Sequence, residues 1–148
     1  MLTTIGDILQ AKHCAVQTTR PTETLAQAVG RMAASDTGAL PVVEGGRLVG
    51  ILSKRDVLAR VVRDRLDPDI ADVAQAMSAH PVSVRPNTRA DEAVHLMREK
   101  RFRHLPVVEA GQLVGMVSLS DLAARIISDQ NDSMNRMIGA IKAIRPVG

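Results

Sequence analysis

The sequence is almost devoid of aromatic residues. Among its 148 residues Phe102 is the only aromatic one, and there is no tryptophan or tyrosine. Proteins that bind single-stranded nucleic acids use aromatic rings as stacking platforms for the bases, so this composition argues against that class. The formal net charge of +3 is too small to indicate a DNA-binding protein, although it suits a protein with a few cations directed at phosphates. We therefore expect no nucleic-acid partner.

Cysteine and long apolar runs are also scarce. The single cysteine, Cys14, excludes an intramolecular disulfide and favours a reducing compartment. The first ten residues lack the basic start and apolar stretch of a signal peptide. No apolar run approaches the roughly 18 residues that are needed to span a bilayer. These features predict a cytoplasmic protein without membrane insertion.

The chain does contain an internal repeat. Residues 20–62 align with residues 85–127 without a gap, at a constant offset of 65. The segment LPVVE at 40–44 recurs at 105–109. Self-similarity of this kind indicates a duplicated structural unit.

Each copy has the pattern of a β-α-β-β-α unit. A short β-prone stretch, at 16–19 and again at 82–84, comes before a helix, a hairpin with glycine at its turn, and a second helix. The first helix of each copy repeats apolar residues at helical spacing: Leu25, Ala28, Val29 and Met32, then Ala90, Ala93, Val94 and Met97. The second helices carry Val57, Leu58, Val61 and Val62, then Leu122, Ala123, Ile126 and Ile127. One unit of about 60 residues buries its apolar faces only marginally. We therefore predict an α/β (α+β) fold in which the two units pack together with pseudo-twofold symmetry.

The repeat sets the expected domain boundaries. Residues 1–68 form the first repeat with a lead-in helix and linker, and residues 69–128 form the second with its own lead-in helix. Residues 129–148 form an amphipathic C-terminal helix, with Met134, Met137, Ile138, Ile141 and Ile144 on one face. This helix either packs on the module or a second subunit, or docks an effector protein or a membrane surface.

Each copy has a serine and an aspartate three residues apart where a strand leads into a helix. These are Ser53 and Asp56 in the first copy, and Ser118 and Asp121 in the second. A carboxylate in the first turn can accept hydrogen bonds from the two adjacent hydroxyls of a ribose, near backbone N–H groups that attract an anion. The same spacing is typical of a capping box, which requires no ligand. From the residues alone both interpretations stay open.

The segments GILSKRD at 50–56 and GMVSLSD at 115–121, with MSAHPVSV at 77–84, resemble the CBS (cystathionine-β-synthase-type) repeat. The resemblance covers about residues 4–128. It implies a regulatory module that binds AMP, ADP or ATP between two repeats and is not an enzyme. S-adenosylmethionine, a nicotinamide dinucleotide or a cyclic dinucleotide are further ligands of this type. The resemblance also implies a homodimer whose signal passes to an effector protein.

The resemblance assigns further site residues. Arg103 and His104 would approach the phosphates, whereas Gly38 and Ala39 replace them in the first copy and Lys54 and Arg55 could compensate. The candidate ligand-binding set is Thr18, Ala39, Leu40, Pro41, Ser53, Arg55, Asp56, Val82, Ser83, Arg103, His104, Leu105, Pro106, Ser118 and Asp121. Taken alone, Leu40 and Leu105 are typical core residues.

Other kinds of chemistry find little support. His13, Cys14, His80 and His104 lack zinc-site spacing, so we expect no metal, and no catalytic motif stands out. The alternative function is an interaction or dimerisation scaffold in which the two sites are vestigial.

Overall fold

The computed structural model describes residues 3–12 and 15–143. The first half contains α1 (Ile5–Lys12), α2 (Leu25–Ser35), β1 (Ala39–Glu44), β2 (Arg47–Ser53) and α3 (Lys54–Val57), which continues into a π-helical turn (Leu58–Arg63). The second half contains α4 (Val73–Ala76), β3 (Ser78–Ala79), α5 (Ala90–Lys100), β4 (His104–Glu109), β5 (Gln112–Ser118) and α6 (Leu119–Ala143). This arrangement confirms the predicted mixed fold of two similar units.

The first helix of each unit forms where the apolar spacing predicts it. Leu25, Ala28 and Met32 are the buried residues of α2, and Ala90, Ala93 and Met97 are those of α5. Thr24 caps α2 through a reciprocal pair of hydrogen bonds with Gln27, which satisfies backbone groups that the helix start leaves unpaired. The predicted strands at 16–19 and 82–84 are shorter than expected. Each is a single parallel bridge, Thr19 to Val42 and Val84 to Val107, because the turn at the following proline ends the pairing.

The two hairpins are related by a pseudo-twofold axis. β1 pairs with β2 and β4 with β5, and both hairpins have a register shift at the same place, Val42/Val43 in the first and Val107/Val108 in the second. They join into one sheet of order β1-β2-β5-β4 through the pair Arg47–Gln112. The two hairpin turns therefore lie side by side at the pseudo-twofold axis.

The lead-in helices are exchanged between the two units. Ile5 and Ile8 of α1 are buried in the core of the second unit, whereas Val73 and Ala76 of α4 are buried in the core of the first. Matching hydrogen bonds hold them there: Ile5 N donates to Thr88 O, and Val73 N donates to Glu23 O, both at 2.8 Å. Full burial of an aliphatic side chain contributes about 1.5–3 kcal/mol. Each core is thus completed by a segment that precedes the other repeat.

Helix α6 runs without a break past residue 128, so the predicted C-terminal helix is the continuation of the last helix of the second unit. Met134, Met137 and Ile138 are exposed by 62%, 65% and 43%. The side chain of Ile141 and all of Ile144, which we placed on the same face, lie outside the described part of the chain. No helix within the described ranges is long and apolar enough to cross a bilayer.

The helix after each hairpin differs between the two units. In the first unit Val57 and Val61 pack against the core, whereas Leu58 and Val62 are 62% and 70% exposed. In the second unit Leu122 is buried, and Ile127 is 57% exposed. The described part of the module therefore has apolar side chains on its surface at the equivalent positions 62 and 127.

Candidate functional site

Both serine–aspartate pairs form capping boxes where a strand passes into a helix. At the first junction, Asp56 N donates to Ser53 Oγ at 3.1 Å, and Ser53 N donates to Asp56 Oδ2 at 2.9 Å. At the second, Asp121 N donates to Ser118 Oγ and Ser118 N donates to Asp121 Oδ2 at the same distances. The capping interpretation is therefore confirmed for both copies. It also means that each carboxylate is held in a defined orientation.

The first junction is bordered by neutral groups from β3. Ser78 Oγ lies 3.4 Å from Asp56 Oδ1. β3 reaches this position because it pairs with β2 beside Gly50, where an added Cβ would lie 2.5 Å from Met77 Sδ and 3.0 Å from Ser78 O. Since a side chain at position 50 would displace this segment, the glycine permits the close approach. Asp56 thus has a hydroxyl on one oxygen and the cap on the other.

The second junction is bordered by a cation. Lys12 Nζ, at the end of α1, lies 2.9 Å from Asp121 Oδ2 and donates to Met116 O at 3.2 Å. Burial by itself would raise the pKa of Asp121, but the hydrogen bonds from Lys12 and Ser118 outweigh it and lower the pKa below its usual value. The two junctions therefore share the capping box and differ in what contacts the carboxylate.

The two junctions approach each other near His104. Lys54 N donates to Gly38 O at 2.9 Å, and Leu119 N donates to Arg103 O at 2.8 Å, so the loop before each hairpin is tied to the helix after it. A Cβ at Gly38 would lie 3.6 Å from His104 Cε1 and 3.9 Å from Lys54 Cδ. Because position 38 is glycine where the second copy has Arg103, it leaves room for the histidine of the other repeat.

The surroundings of His104 lower the pKa of its imidazole. Burial lowers its pKa, and so does the positive charge of Lys12 and of Arg103, while the negative charge of Asp121 opposes them. Arg103 itself is exposed, as are Lys54 and Arg55 on the first junction. These basic side chains supply the positive charge that a phosphate would require.

Several apolar residues of the candidate ligand-binding set lie in the core. Leu40 and Leu105 are 0% exposed and belong to the two hydrophobic cores. Ala39, Pro41 and Pro106 are buried as well. These residues are enclosed as a whole, so they do not line an open pocket in this structure.

Three predicted residues lie on the segments before the first helices. The carbonyl of Thr18 accepts a hydrogen bond of 2.8 Å from Arg31 Nη1. Val82 packs against the second core, and the exposed Ser83 borders a surface cavity whose other walls include Asp91 and His95 of α5. That cavity is not bordered by either capping box. The geometry thus brings His104 to the junctions but leaves Ser83 on a different surface of the second unit.

Two residues that contact the aspartates, Lys12 and Ser78, are not among the predicted site residues. Both belong to lead-in segments, which contact the opposite repeat in the fold. The sequence does show that the two lead-in segments differ in length. Leu9 precedes the first aligned copy, which begins at Arg20, by eleven positions, whereas Met77 precedes the second, which begins at Arg85, by eight. The first lead-in is therefore longer by three residues.

The four residues considered for a metal site are His13, Cys14, His80 and His104. His13 and Cys14 lie outside the described residues. Within the described ranges, no group of three or more His, Cys, Asp or Glu side chains is placed to hold a metal ion.

Two repeats that exchange lead-in helices and carry equivalent junctions define a paired-repeat module. The sequence profile of the CBS domain matches residues 4–63 and 70–128. The chain belongs to the CBS domain family, as its motifs predicted. It is 37% identical over 116 residues to the CBS domain-containing protein YhcV of Bacillus subtilis, an alignment covering 78% of this chain and 82% of that protein.

Solved structures show the same architecture. A putative signal-transduction protein with CBS domains from Burkholderia ambifaria is similar with a TM-score of 0.81 and 35% identity, over 86% of this chain and 96% of that one. CBSX2 of Arabidopsis thaliana, crystallised in complex with AMP, is similar with a TM-score of 0.72 and 26% identity, over 86% and 98%. Such pairs of CBS domains are mostly regulatory or signal-transduction modules.

Proposed function

We propose that this chain is a non-enzymatic regulatory module that binds an adenosine nucleotide between its repeats and relays the bound state to an effector protein. The observation that carries the proposal is the geometry of Asp56. Its carboxylate is oriented by the capping box, and Oδ1 lies beside only the Ser78 hydroxyl among the described groups. A pair of ribose hydroxyls could donate to this carboxylate in place of the serine.

The charge around the first junction supports a phosphorylated ligand. Lys54 and Arg55 follow Ser53 directly, and His104 lies close to Gly38 beside Lys54. A ribose at Asp56 therefore has cations nearby for an attached phosphate. The complex of CBSX2 with AMP supports the choice of an adenosine nucleotide, with AMP as the first ligand to test and ADP and ATP as alternatives.

Regulation requires that the nucleotide bind two states of the module with different affinity. The repeats meet through the sheet pair Arg47–Gln112 and through the exchanged helices, so we expect a ligand between them to change their relative orientation. The exposed apolar residues Val62 and Ile127 support a homodimer, because they lie at equivalent positions of the two units. The partner that reads the change would be an effector protein.

Thermal unfolding and isothermal titration with AMP, ADP and ATP test this function. A ligand at 100 times its Kd should stabilise the chain by about 2.7 kcal/mol, which raises Tm by roughly 5–11 °C at this length. Asp56→Asn removes the charge and keeps an acceptor for the cap. It should weaken AMP binding roughly tenfold to a hundredfold, since a hydrogen bond to a charged group contributes about 1.5–3 kcal/mol.

The matched control is Thr24→Ala, which removes the cap of α2 away from both junctions and should lower Tm without changing AMP affinity. Light scattering on the same samples should give twice the mass of one chain. Absence of binding by all three nucleotides would refute the proposal and favour the scaffold, in which the serine–aspartate pairs serve only as helix caps.

A further inference from the structure

The second half of α6 projects beyond the module. Every residue from 130 to 140 is exposed, and we call this stretch the projecting segment. Among the described residues, the last hydrogen bond between α6 and another segment is that of Thr3 Oγ1 with Asp129 Oδ2, at 2.6 Å. Isolated helices of this length are marginal in water, and this one contains Asn, Asp, Ser and Gly, which are poor helix formers. The projecting segment therefore requires a partner surface.

α6 carries the spacing of a helix–helix seam along this segment. Steps of three and four residues alternate along the sequence at six positions, Ile127, Gln130, Met134, Met137, Ile141 and Ile144. Helices with apolar residues at this spacing pack against each other along a shared stripe. Ile127, Met134 and Met137 are all exposed, and the two methionines border a groove whose other walls include Thr3 and Ala90. The described part of the module thus leaves the seam uncovered.

We propose that this seam pairs in parallel with the same seam of a second copy, so that two chains associate through their projecting segments. The inference goes beyond the nucleotide site and assigns a surface to the homodimer proposed above. In a parallel pair with twofold symmetry, each seam residue faces its own equivalent. The side-chain amide of Gln130 is both a donor and an acceptor, so it can form hydrogen bonds with the same amide of the second copy. A polar residue in an apolar seam also specifies the register and the number of chains.

The charge pattern favours a second copy over a different protein. Between residues 126 and 140 the charged side chains are Asp129, Asp132 and Arg136. With 3.6 residues per turn, all three lie on the side of the helix opposite Met134. The positions beside the seam hold uncharged residues, namely Asn131, Ser133, Ile138 and Ala140. Charges at such positions set partner choice in helix pairs, and without them two identical seams meet no like-charge repulsion.

The same pattern disfavours a membrane surface. Helices that lie on membranes are rich in lysine and arginine on their polar face. Two aspartates and one arginine form the polar face between residues 126 and 140. This part of α6 therefore has no excess of positive charge to attract anionic lipids.

Sedimentation equilibrium of the intact chain tests the pairing. The wild type should be a dimer, and Met134→Lys should raise the dimer Kd about a hundredfold, because one buried side chain is lost from each copy and like charges face each other. Asp132→Lys introduces the same side chain on the opposite side of the helix, and this matched control should associate as the wild type does. An equimolar mixture of Met134→Lys and Met134→Glu should recover association, which a misfolded variant would not do.

Cysteine cross-linking tests the parallel arrangement. In a Cys14→Ser background, Gln130→Cys should form a disulfide-linked dimer under mild oxidation, whereas Asp132→Cys should not. Failure of Gln130→Cys to cross-link would overturn the parallel pairing.

Three further outcomes would overturn the inference. The first is a wild type that is monomeric at all concentrations. The second is a dimer that Met134→Lys leaves as stable as Asp132→Lys does. The third is sedimentation of the wild type, but not of Met134→Lys, with phosphatidylserine vesicles, which would assign the seam to a membrane. AMP titration is a separate measurement, so absence of AMP binding would refute the proposed nucleotide site and leave the pairing to be judged by sedimentation.

Discussion

Replacing Ile5 with alanine should destabilise the second unit, although Ile5 precedes the first repeat in the chain. Its side chain is 0% exposed and belongs to the core that contains Leu105 and Leu122. Truncating a fully buried isoleucine to alanine costs about 2–5 kcal/mol, including the cavity left behind. At this chain length, 3 kcal/mol corresponds to a fall in Tm of roughly 6–12 °C.

A double-mutant cycle shows which core Ile5 completes. Ile5→Ala should couple to Leu122→Ala by about 0.5–3 kcal/mol, because the two residues share one core. It should be additive with Leu40→Ala to within about 0.5 kcal/mol, since Leu40 belongs to the other core. The chain has no tryptophan or tyrosine, so urea unfolding is followed by far-ultraviolet circular dichroism. Coupling to Leu40 and additivity with Leu122 would refute the exchange of lead-in helices.

Two further predictions concern the junctions. Gly115→Ala should destabilise the chain by roughly 1–3 kcal/mol, because the added Cβ would lie 2.8 Å from Leu9 Cδ2. Gly30→Ala should instead stabilise α2 by about 0.5–1 kcal/mol, because nothing lies within 4 Å of the Cβ added there. If both substitutions changed the free energy of unfolding in urea equally, α1 would not pack closely against β5. Burial lowers the pKa of His104 in the folded chain below its usual 6.5. Below pH 6.5 the unfolded chain therefore binds more protons than the folded chain, and the free energy of unfolding should decrease as the pH falls below 6.5. Between about pH 7.5 and 5.5, the free energy of unfolding should fall less in His104→Gln than in the wild type. An equal fall in both proteins would mean that another group causes it.

Features that depend on near neighbours in the chain were predictable. The buried faces of α2 and α5 follow from apolar spacing, and the capping boxes follow from serine and aspartate three positions apart. The hairpins follow from glycine between two apolar runs, and the constant offset between the copies indicates that two such units share one fold. The interactions behind these features span only a few residues, so the pattern is enough to identify them.

Helical spacing was less informative where it could not distinguish a core from a free surface. The residues around 57–62 show the same periodicity as α2, yet Leu58 and Val62 are exposed in the π-helical turn. The stretches at 16–19 and 82–84 have strand composition, but each makes only one bridge. Local propensity does not reveal which partner surface is available.

Contacts between distant segments depend on packing alone. Motif order assigned each lead-in helix to the repeat that follows it, but burial of Ile5 and Val73 places each helix on the opposite repeat. That exchange brings Ser78 to Asp56 and Lys12 to Asp121, and so distinguishes two junctions whose motifs are equivalent. The repeat indicated two similar units, the motifs resembled the CBS repeat, and the serine–aspartate spacing predicted the two capping boxes. The packing of the two cores determines which groups contact those aspartates. Hydrophobic burial is non-directional, so the sequence pattern alone does not show which surfaces pack together.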